Sequence, residues 1–252
     1  MARLTDVISY LDELLAIGDF RDYGPNGLQV PGTGELSRVA TGVSANLELF
    51  EGAVARDAQL VVAHHGLFWD FHPRSVTPAM KERLRILFDG DMSLAAYHLP
   101  LDAHAELGNN ALLCRLLGFE PAERFGEARG ARIGFVGRST DGVAAAELAS
   151  AIESGLGRAP LVQGAGPELV RSIGVVTGAG AGEVHEAVAL GLDAMLTGEP
   201  AEHAMADAAE GGLHFIAAGH YATETLGVRR LGESLAERFG VEHEFIDVPN
   251  PV

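Results

Sequence analysis

The stretch VATGVSANLELFEGAVARDAQLVVAHHGLFWD, Val39 to Asp70, decides how the chain is read. Arg38 to Val43 has the composition of a short strand, Asn46 to Arg56 of a helix, and Gln59 to Ala63 of a second, wholly apolar strand. Strand, helix and strand in that order make a βαβ unit, and therefore a parallel pair. The second strand runs straight into two adjacent histidines. Neighbouring side chains of an extended strand point to opposite faces. His64 and His65 are therefore expected to diverge and to serve two separate centres, unless the strand has just ended.

The plan recurs on both sides of this stretch. Thr5 or Asp6 caps a first helix that runs to about Ile17, and the turn-rich DYGPNGLQVPG, Asp22 to Gly32, reads as an ordered loop. Helices are expected over Thr77–Asp89 and Asn109–Leu117, with Gly118 as a stop, and a strand over Ser93–Tyr97 that ends at His98. Further along, strands are expected at Ile133–Val136, Ile173–Thr177, Ala194–Thr197, His214–Ala218 and His243–Asp247. Helices alternate with them at Gly142–Gly155, Gly182–Leu190, Ala201–Ala209 and Tyr221–Phe239. VVTGAGAGEVHEAVALGLDAML, Val175 to Leu196, aligns without a gap on Val39 to Leu60 at a constant offset of 136. Thr41-Gly42 falls on Thr177-Gly178, and Asp57-Ala58 on Asp193-Ala194. The expected fold is α/β: two interlinked, pseudo-symmetric lobes, 1–125 and 126–252, with mostly parallel sheets. The last helix and strand are candidates to pack back on the first lobe. A site is expected in the cleft between the lobes, outside the carboxyl ends of the strands.

Composition narrows the function. The 252 residues carry 35 acidic against 18 basic side chains, a formal charge of −17. Such a surface repels phosphate backbones and anionic membranes, which argues against non-specific nucleic-acid binding. No apolar run approaches the roughly 20 residues of a membrane helix, and MARLTDVISYLDELL reads as an amphipathic acidic helix, not a signal peptide. The single cysteine, Cys114, lies in the helical pattern ALLCRLLGF and is expected in the core. A cytoplasmic location follows as an expectation.

Three clusters sit at expected strand ends: His64 with His65; His98, Asp102 and His104 in AYHLPLDAH; and His220 with Glu224 in AAGHYATETLG. His220 and Glu224 are four apart at the start of a helix and share one face. Imidazoles with carboxylates are the ligand set of borderline first-row metals such as Zn, Mn, Fe or Ni. His64 and His65 on different ions, Asp102 on one and His220 on the other, with Glu224 bridging, make a two-metal arrangement. His98 stands as a sixth ligand or as a donor behind the ligands. Glu199 in TGEPAEH reads either as a cleft-lining acid or as the capping acid of the next helix. His72, His104, His185, His203, His214 and His243 read as solvent-facing or locally bonded, and Phe68 and Trp69 as wall or core. No GxSxG elbow and no GxxxxGK[ST] loop occurs, and the glycines of TGAGAGEV lack dinucleotide-fingerprint spacing, which leaves that stretch as a tight turn.

DYGPNGLQV, VVAHHGLFW, AYHLPLDAHAELGNNA, TGEPAEH, AAGHYATE and the ending FIDVPNP together resemble the NGG-interacting-factor-like dinuclear-metal proteins, whose members often carry the label GTP cyclohydrolase 1 type 2 homolog. The resemblance covers the chain from about residue 5 onward and fits the short bacterial form. It implies a ring-shaped homohexamer with two divalent ions per subunit. Its ligand positions fall on His64, His65, Asp102, His220 and Glu224; His98 also matches a family histidine. It further implies a metal-dependent hydrolase that acts on a nucleotide or pterin-like small molecule through an activated water; with the five ligands used, His98 and Glu199 are the candidate bases left in this sequence. The alternative is a non-catalytic hexamer that stores or delivers metal or serves as a protein-interaction scaffold.

Overall fold

The computed structural model describes residues 1–252, which form two compact units. Met1–Leu101 and Gly227–Val248 make the first; Asp102–Leu226 and Pro249–Val252 make the second.

In the first unit, β1 (Ala2–Arg3) and β3 (Glu35–Leu36) form a small antiparallel pair, and the main sheet has five strands. Its order is the C-terminal strand Glu242–Phe245, β4 (Arg38–Ser44), β5 (Leu60–His65), β6 (Ser93–Ala96) and β2 (Gly27–Val30). The first four run parallel, and β2 closes the edge antiparallel to β6. The stretch expected to be only a loop thus contributes a strand. Its Gly, Pro and Asn punctuation hides a four-residue edge strand that needs hydrogen bonds on one side only.

Helix Leu47–Val54 joins β4 to β5. Asn46 caps it, its side-chain oxygen accepting from Leu49 N at 2.9 Å. Thr77 does the same for Met80 N at 3.2 Å ahead of helix Pro78–Asp89. Gly42 lies in β4 directly under that first helix: a Cβ there would sit 2.5 Å from Leu49 Cδ1, so glycine is what lets the helix settle on the sheet. Leu49, Phe50, Val61, Leu67, Leu87 and Leu94 form a buried apolar core with Ile246, which directly follows the C-terminal strand. Each contributes roughly 1.5–3 kcal/mol of burial before entropy is counted.

The second unit holds a six-stranded sheet. Its order is β7 (Glu120–Ala128), β8 (Ala131–Ala144), β10 (Leu169–Val176), β11 (Ala194–Thr197), β12 (His214–Ala217) and β9 (Leu161–Gln163). β10, β11 and β12 are parallel; β7, β8 and β9 run antiparallel to their neighbours. The β7–β8 hairpin turns at Arg129 and Gly130, both at positive φ, the backbone that a two-residue turn of this hand requires. EPAERFGEA, the β7 sequence, gave no strand signal because an exposed edge strand tolerates Pro and charge. Helix Asn109–Leu116 packs on β7, β8 and β10, and buries Leu113 and Cys114 in the core of this unit with Phe119, Ile173, Val175 and Ile216. Residues 102–125 accordingly fall in the second unit, whereas the sequence reading drew its line after 125.

The helix expected over Tyr221–Phe239 is two helices, His220–Thr223 and Thr225–Phe239, with Glu224 at the break. Thr223 draws the chain out of register: its hydroxyl donates to the carbonyls of Gly219 and His220, both at 2.9 Å. No helix is long and apolar enough to cross a membrane.

Candidate metal centre

In the first unit, His64 and His65 are the last two residues of β5, and His98 follows β6 by two positions. The ring centroids lie 4.7 Å (His64–His65), 5.0 Å (His64–His98) and 5.5 Å (His65–His98) apart. One potential ligand atom from each falls within 4.8 Å of the others. The tandem rings therefore converge, contrary to the alternation expected of a strand. The β6 ladder stops at Ala63, while β4 still pairs with His65 through Ser44, so the end of β5 is paired on one side only.

Each ring is oriented through its Nδ1. His64 Nδ1 donates to the Tyr97 carbonyl at 3.0 Å, and His98 Nδ1 donates to Asp22 Oδ1 at 2.7 Å. His65 Nδ1 meets the Ser44 hydroxyl at 3.1 Å. For His64 and His98 the acceptor-only partner on Nδ1 puts the basic lone pair on Nε2, the arrangement that presents a neutral imidazole to a metal. Asp22 is itself built in: Oδ2 accepts from Leu99 N and Asn26 Nδ2, both at 2.9 Å. Burial works against its charge, but His98, Asn26 and the Tyr23 amide outweigh it and hold the carboxyl below its usual range. Trp69 stands beside the cluster, 5.1 Å from the His98 ring and 5.8 Å from the His65 ring. It lines a cleft with Gly24, Gln29, His64, Phe68 and His98.

In the second unit, His220 lies between two carboxylates. Its Nδ1 meets Glu199 Oε1 at 2.5 Å and its Nε2 lies 3.3 Å from Glu224 Oε2. Burial disfavours the imidazolium, yet Glu224 and Glu199 prevail and raise the pKa to about 9. Glu199 is not the cap of the next helix, which starts from Ala201 without a side-chain cap; it is the acid that orients His220.

Asp102, buried, accepts from Asn109 Nδ2 at 2.9 Å and from the Thr177 hydroxyl at 3.3 Å. Gly178, the next residue, sits at φ +67°, and a Cβ there would collide with Glu224 Oε1 and lie 3.3 Å from His220 Nε2. The Thr177–Gly178 turn after β10 therefore ties Asp102 to the His220–Glu224 pair, which explains the glycine-rich loop without any nucleotide. Sequence reading missed Asp22, Asn109 and Thr177. The first two lie inside the stretches DYGPNG and ELGNNA that carry the family resemblance, and Thr177 is the repeat partner of Thr41. His104 is local, its Nδ1 accepting from Leu107 N at 3.0 Å. His214 Nε2 donates to the Pro167 carbonyl at 2.8 Å, and His243 Nε2 pairs with the Thr41 hydroxyl at 2.9 Å. Cys114 is buried, with its thiol pushed up to about 12.

The family model Duf34/NIF3 (NGG1p interacting factor 3) matches residues 2–251. Proteins named GTP cyclohydrolase 1 type 2 homolog are close in sequence. That of Pseudomonas aeruginosa is 42% identical over 248 residues, covering 98% of each chain. That of Archaeoglobus fulgidus is 40% identical over 246 residues, again 98% of each. Among solved structures, the protein ybgI, described as of unknown function, superposes with a TM-score of 0.92 at 42% identity over 100% of both chains. TTHA1606 from Thermus thermophilus gives 0.90 at 34% over 100% of both chains. Reduced HcgD from Methanocaldococcus jannaschii gives 0.83 at 22% identity, covering 98% of each chain, a likeness of fold. The chain belongs to the Duf34/NIF3 family.

Proposed function

We propose that His64, His65, Asp102, His220 and Glu224 hold two divalent ions per subunit, drawn from Zn, Mn, Fe or Ni, and that the protein is a metal-dependent hydrolase of a nucleotide or pterin-like small molecule. One observation carries this reading: His220 is oriented through Nδ1 by Glu199, while its Nε2 faces the buried Glu224 carboxylate at 3.3 Å, so an imidazole and a carboxylate oxygen point at one place. The rings of His64 and His98, oriented through Nδ1 by a carbonyl and a carboxylate, repeat the same logic. The donor set of imidazole and carboxylate suits borderline metals. A bound pair supplies polarisation of a substrate oxygen and acidification of water.

The chain's own residues do the rest. Glu199 and Asp22 fix the planes of His220 and His98; Asn109 and Thr177 hold one oxygen of Asp102. His98, which Asp22 keeps in one tautomer, is the better placed of the two candidate bases, because Glu199 is committed to His220. The nucleotide class rests on the name that the bacterial and archaeal relatives bear. A homohexamer in the cytoplasm completes the reading.

Elemental analysis of protein purified without added metal or chelator tests the ligand set; two ions per chain are expected, and none would overturn it. Trp69 is the only tryptophan, and it stands beside His65 and His98, so Ni or Cu binding there should quench its fluorescence. Loaded with Mn, Fe or Zn, the wild type should turn over a member of a nucleotide and phosphoester panel. A Glu224→Ala variant that still assembles should not. Full metal occupancy with rapid exchange and no turnover with any metal would favour the storage or delivery reading. Native mass spectrometry reads the assembly.

A further inference from the structure

The stretch PNPV, residues 249–252, belongs to the second unit, where it is tied to the backbone that carries His220. Tyr221 N donates to the Val252 main-chain oxygen at 3.1 Å. Asn250 shapes the segment for that contact: its Oδ1 accepts from Val252 N at 3.0 Å, an Asx turn. Arg158 supplies the second anchor, its Nη1 donating to the Pro251 carbonyl. Strand topology brings Arg158 there. β9 runs antiparallel to β12 with Leu161 opposite Ala217, so residues just before β9 arrive beside residues just after β12. Gly157, at φ +69°, ends the preceding helix and turns the chain toward that place. Gly219 then meets the arginine: it sits at φ +95°, and a Cβ there would lie 2.8 Å from Arg158 Nη1 and 3.0 Å from its Cδ. Gly219 N is fixed in turn to the Gly198 carbonyl at 2.9 Å.

Building on the metal reading of His220, we infer that Arg158 is a positioning residue for that side chain. It locks residues 249–252 as a strap across Gly219 to Tyr221, and so fixes where the imidazole stands between Glu199 and Glu224. A metal donor has to be held to within about 0.5 Å of its working geometry. His220 opens a helix of only four residues, which is too short to hold its own place by internal hydrogen bonds. The anchors therefore come from outside that helix. The guanidinium carries a full charge, which makes its bond to Pro251 the stronger of the two strap contacts. Arg158 and all four strap residues are exposed, so the strap is held by these bonds and not by burial.

Three measurements on the full chain test the strap: amide hydrogen exchange, NMR of the metal-free histidine-labelled protein, and Zn affinity by competition with a chromophoric chelator. In Arg158→Ala the Tyr221 N–H is expected to exchange roughly 5-fold faster. The His220 ring signals should shift, and Zn affinity should fall by about 10-fold. Arg158→Lys keeps a cationic donor and should restore most of each. Asn250→Ala loosens the turn that presents Val252 and should reproduce part of the loss. Both positions are exposed, and unchanged circular dichroism confirms that the variants fold. His220 ring signals and Zn affinity that stay at wild-type values in Arg158→Ala overturn the proposal, whether or not Tyr221 exchanges faster. Wild-type protein that binds no Zn would end the five-residue reading instead. The strap is then judged on the metal-free ring signals alone: a shift in Arg158→Ala that returns in Arg158→Lys upholds it, and no shift overturns it.

Discussion

The two units carry the same βαβ element and end it with different chemistry. In the first, β4 pairs with β5 at Val39↔Leu60; in the second, β10 pairs with β11 at Ile173↔Ala194, the same 21-residue register. At the end of β5 the first unit places imidazoles, whose Nδ1 atoms meet Tyr97, Ser44 and, for His98, Asp22. After β11 the second places Gly198 and Glu199, and after β12 it places His220, an acid-flanked histidine. The aligned glycines also part company. Gly42 lies within β4 and makes room for Leu49, whereas Gly178 lies beyond β10 at positive φ and makes room for Glu224. The first unit thus gathers imidazoles, and the second sets one imidazole between two carboxylates.

Several experiments break or sharpen that contrast. The largest effect is expected from Phe50→Ala, which empties a fully buried position behind β4 and β5; it should cost about 3–5 kcal/mol in denaturant unfolding. The matching cut in the second unit, Phe215→Ala, should cost a similar ~3–5 kcal/mol, which tests whether the two cores are equivalent.

Next come the orienting acids. Glu199→Gln and Asp22→Asn should each weaken metal binding by about 10–100-fold with folding intact, read by competition with a chromophoric chelator. A loss for Glu199→Gln alone would place the binding strength in the acidic unit.

A smaller effect is expected from Gly178→Ala, roughly 1–3 kcal/mol in thermal unfolding from the positive φ and the crowding of Glu224. Gly42→Ala, with ordinary φ, depends only on how far Leu49 yields.

The pH dependence of His220 is the subtlest. Its pKa in the folded chain is about 9 against an ordinary 6.5. The stabilisation it gives the metal-free protein is fully present below 6.5 and lost as pH rises through about 9. Metal affinity should rise over the same window, as the competing proton leaves. Melts with and without metal should diverge progressively, and Glu199→Gln should move the window down.

Much of this was legible in the sequence, for identifiable reasons. The parallel centre of each sheet was readable because buried parallel strands are continuous apolar runs: LVVA, SLAA, AMLT and HFIA stand out against their flanks. His64, His65, Asp102, His220 and Glu224 could be singled out as candidates because imidazoles and acids cluster in three places just after such runs. The antiparallel edges β2, β7 and β9 were not readable, since a one-sided strand in contact with water tolerates Pro, Gly and charge. The break at Glu224 was also hidden, because helical periodicity continues through it while Thr223 back-bonds to Gly219 and His220.

What the sequence by itself determined is therefore the inventory and the local frame: alternating strands and helices, a repeat offset by 136, and the donors at strand ends. Only the tertiary structure decided how each donor is held. It turned the tandem histidines toward each other and put Asp22 behind His98 and Glu199 behind His220. The reason is physical: periodicity is written over a few neighbouring residues. A hydrogen bond between positions 76 apart, such as that of Asp22 with His98, depends on where two loops arrive, which no local pattern encodes.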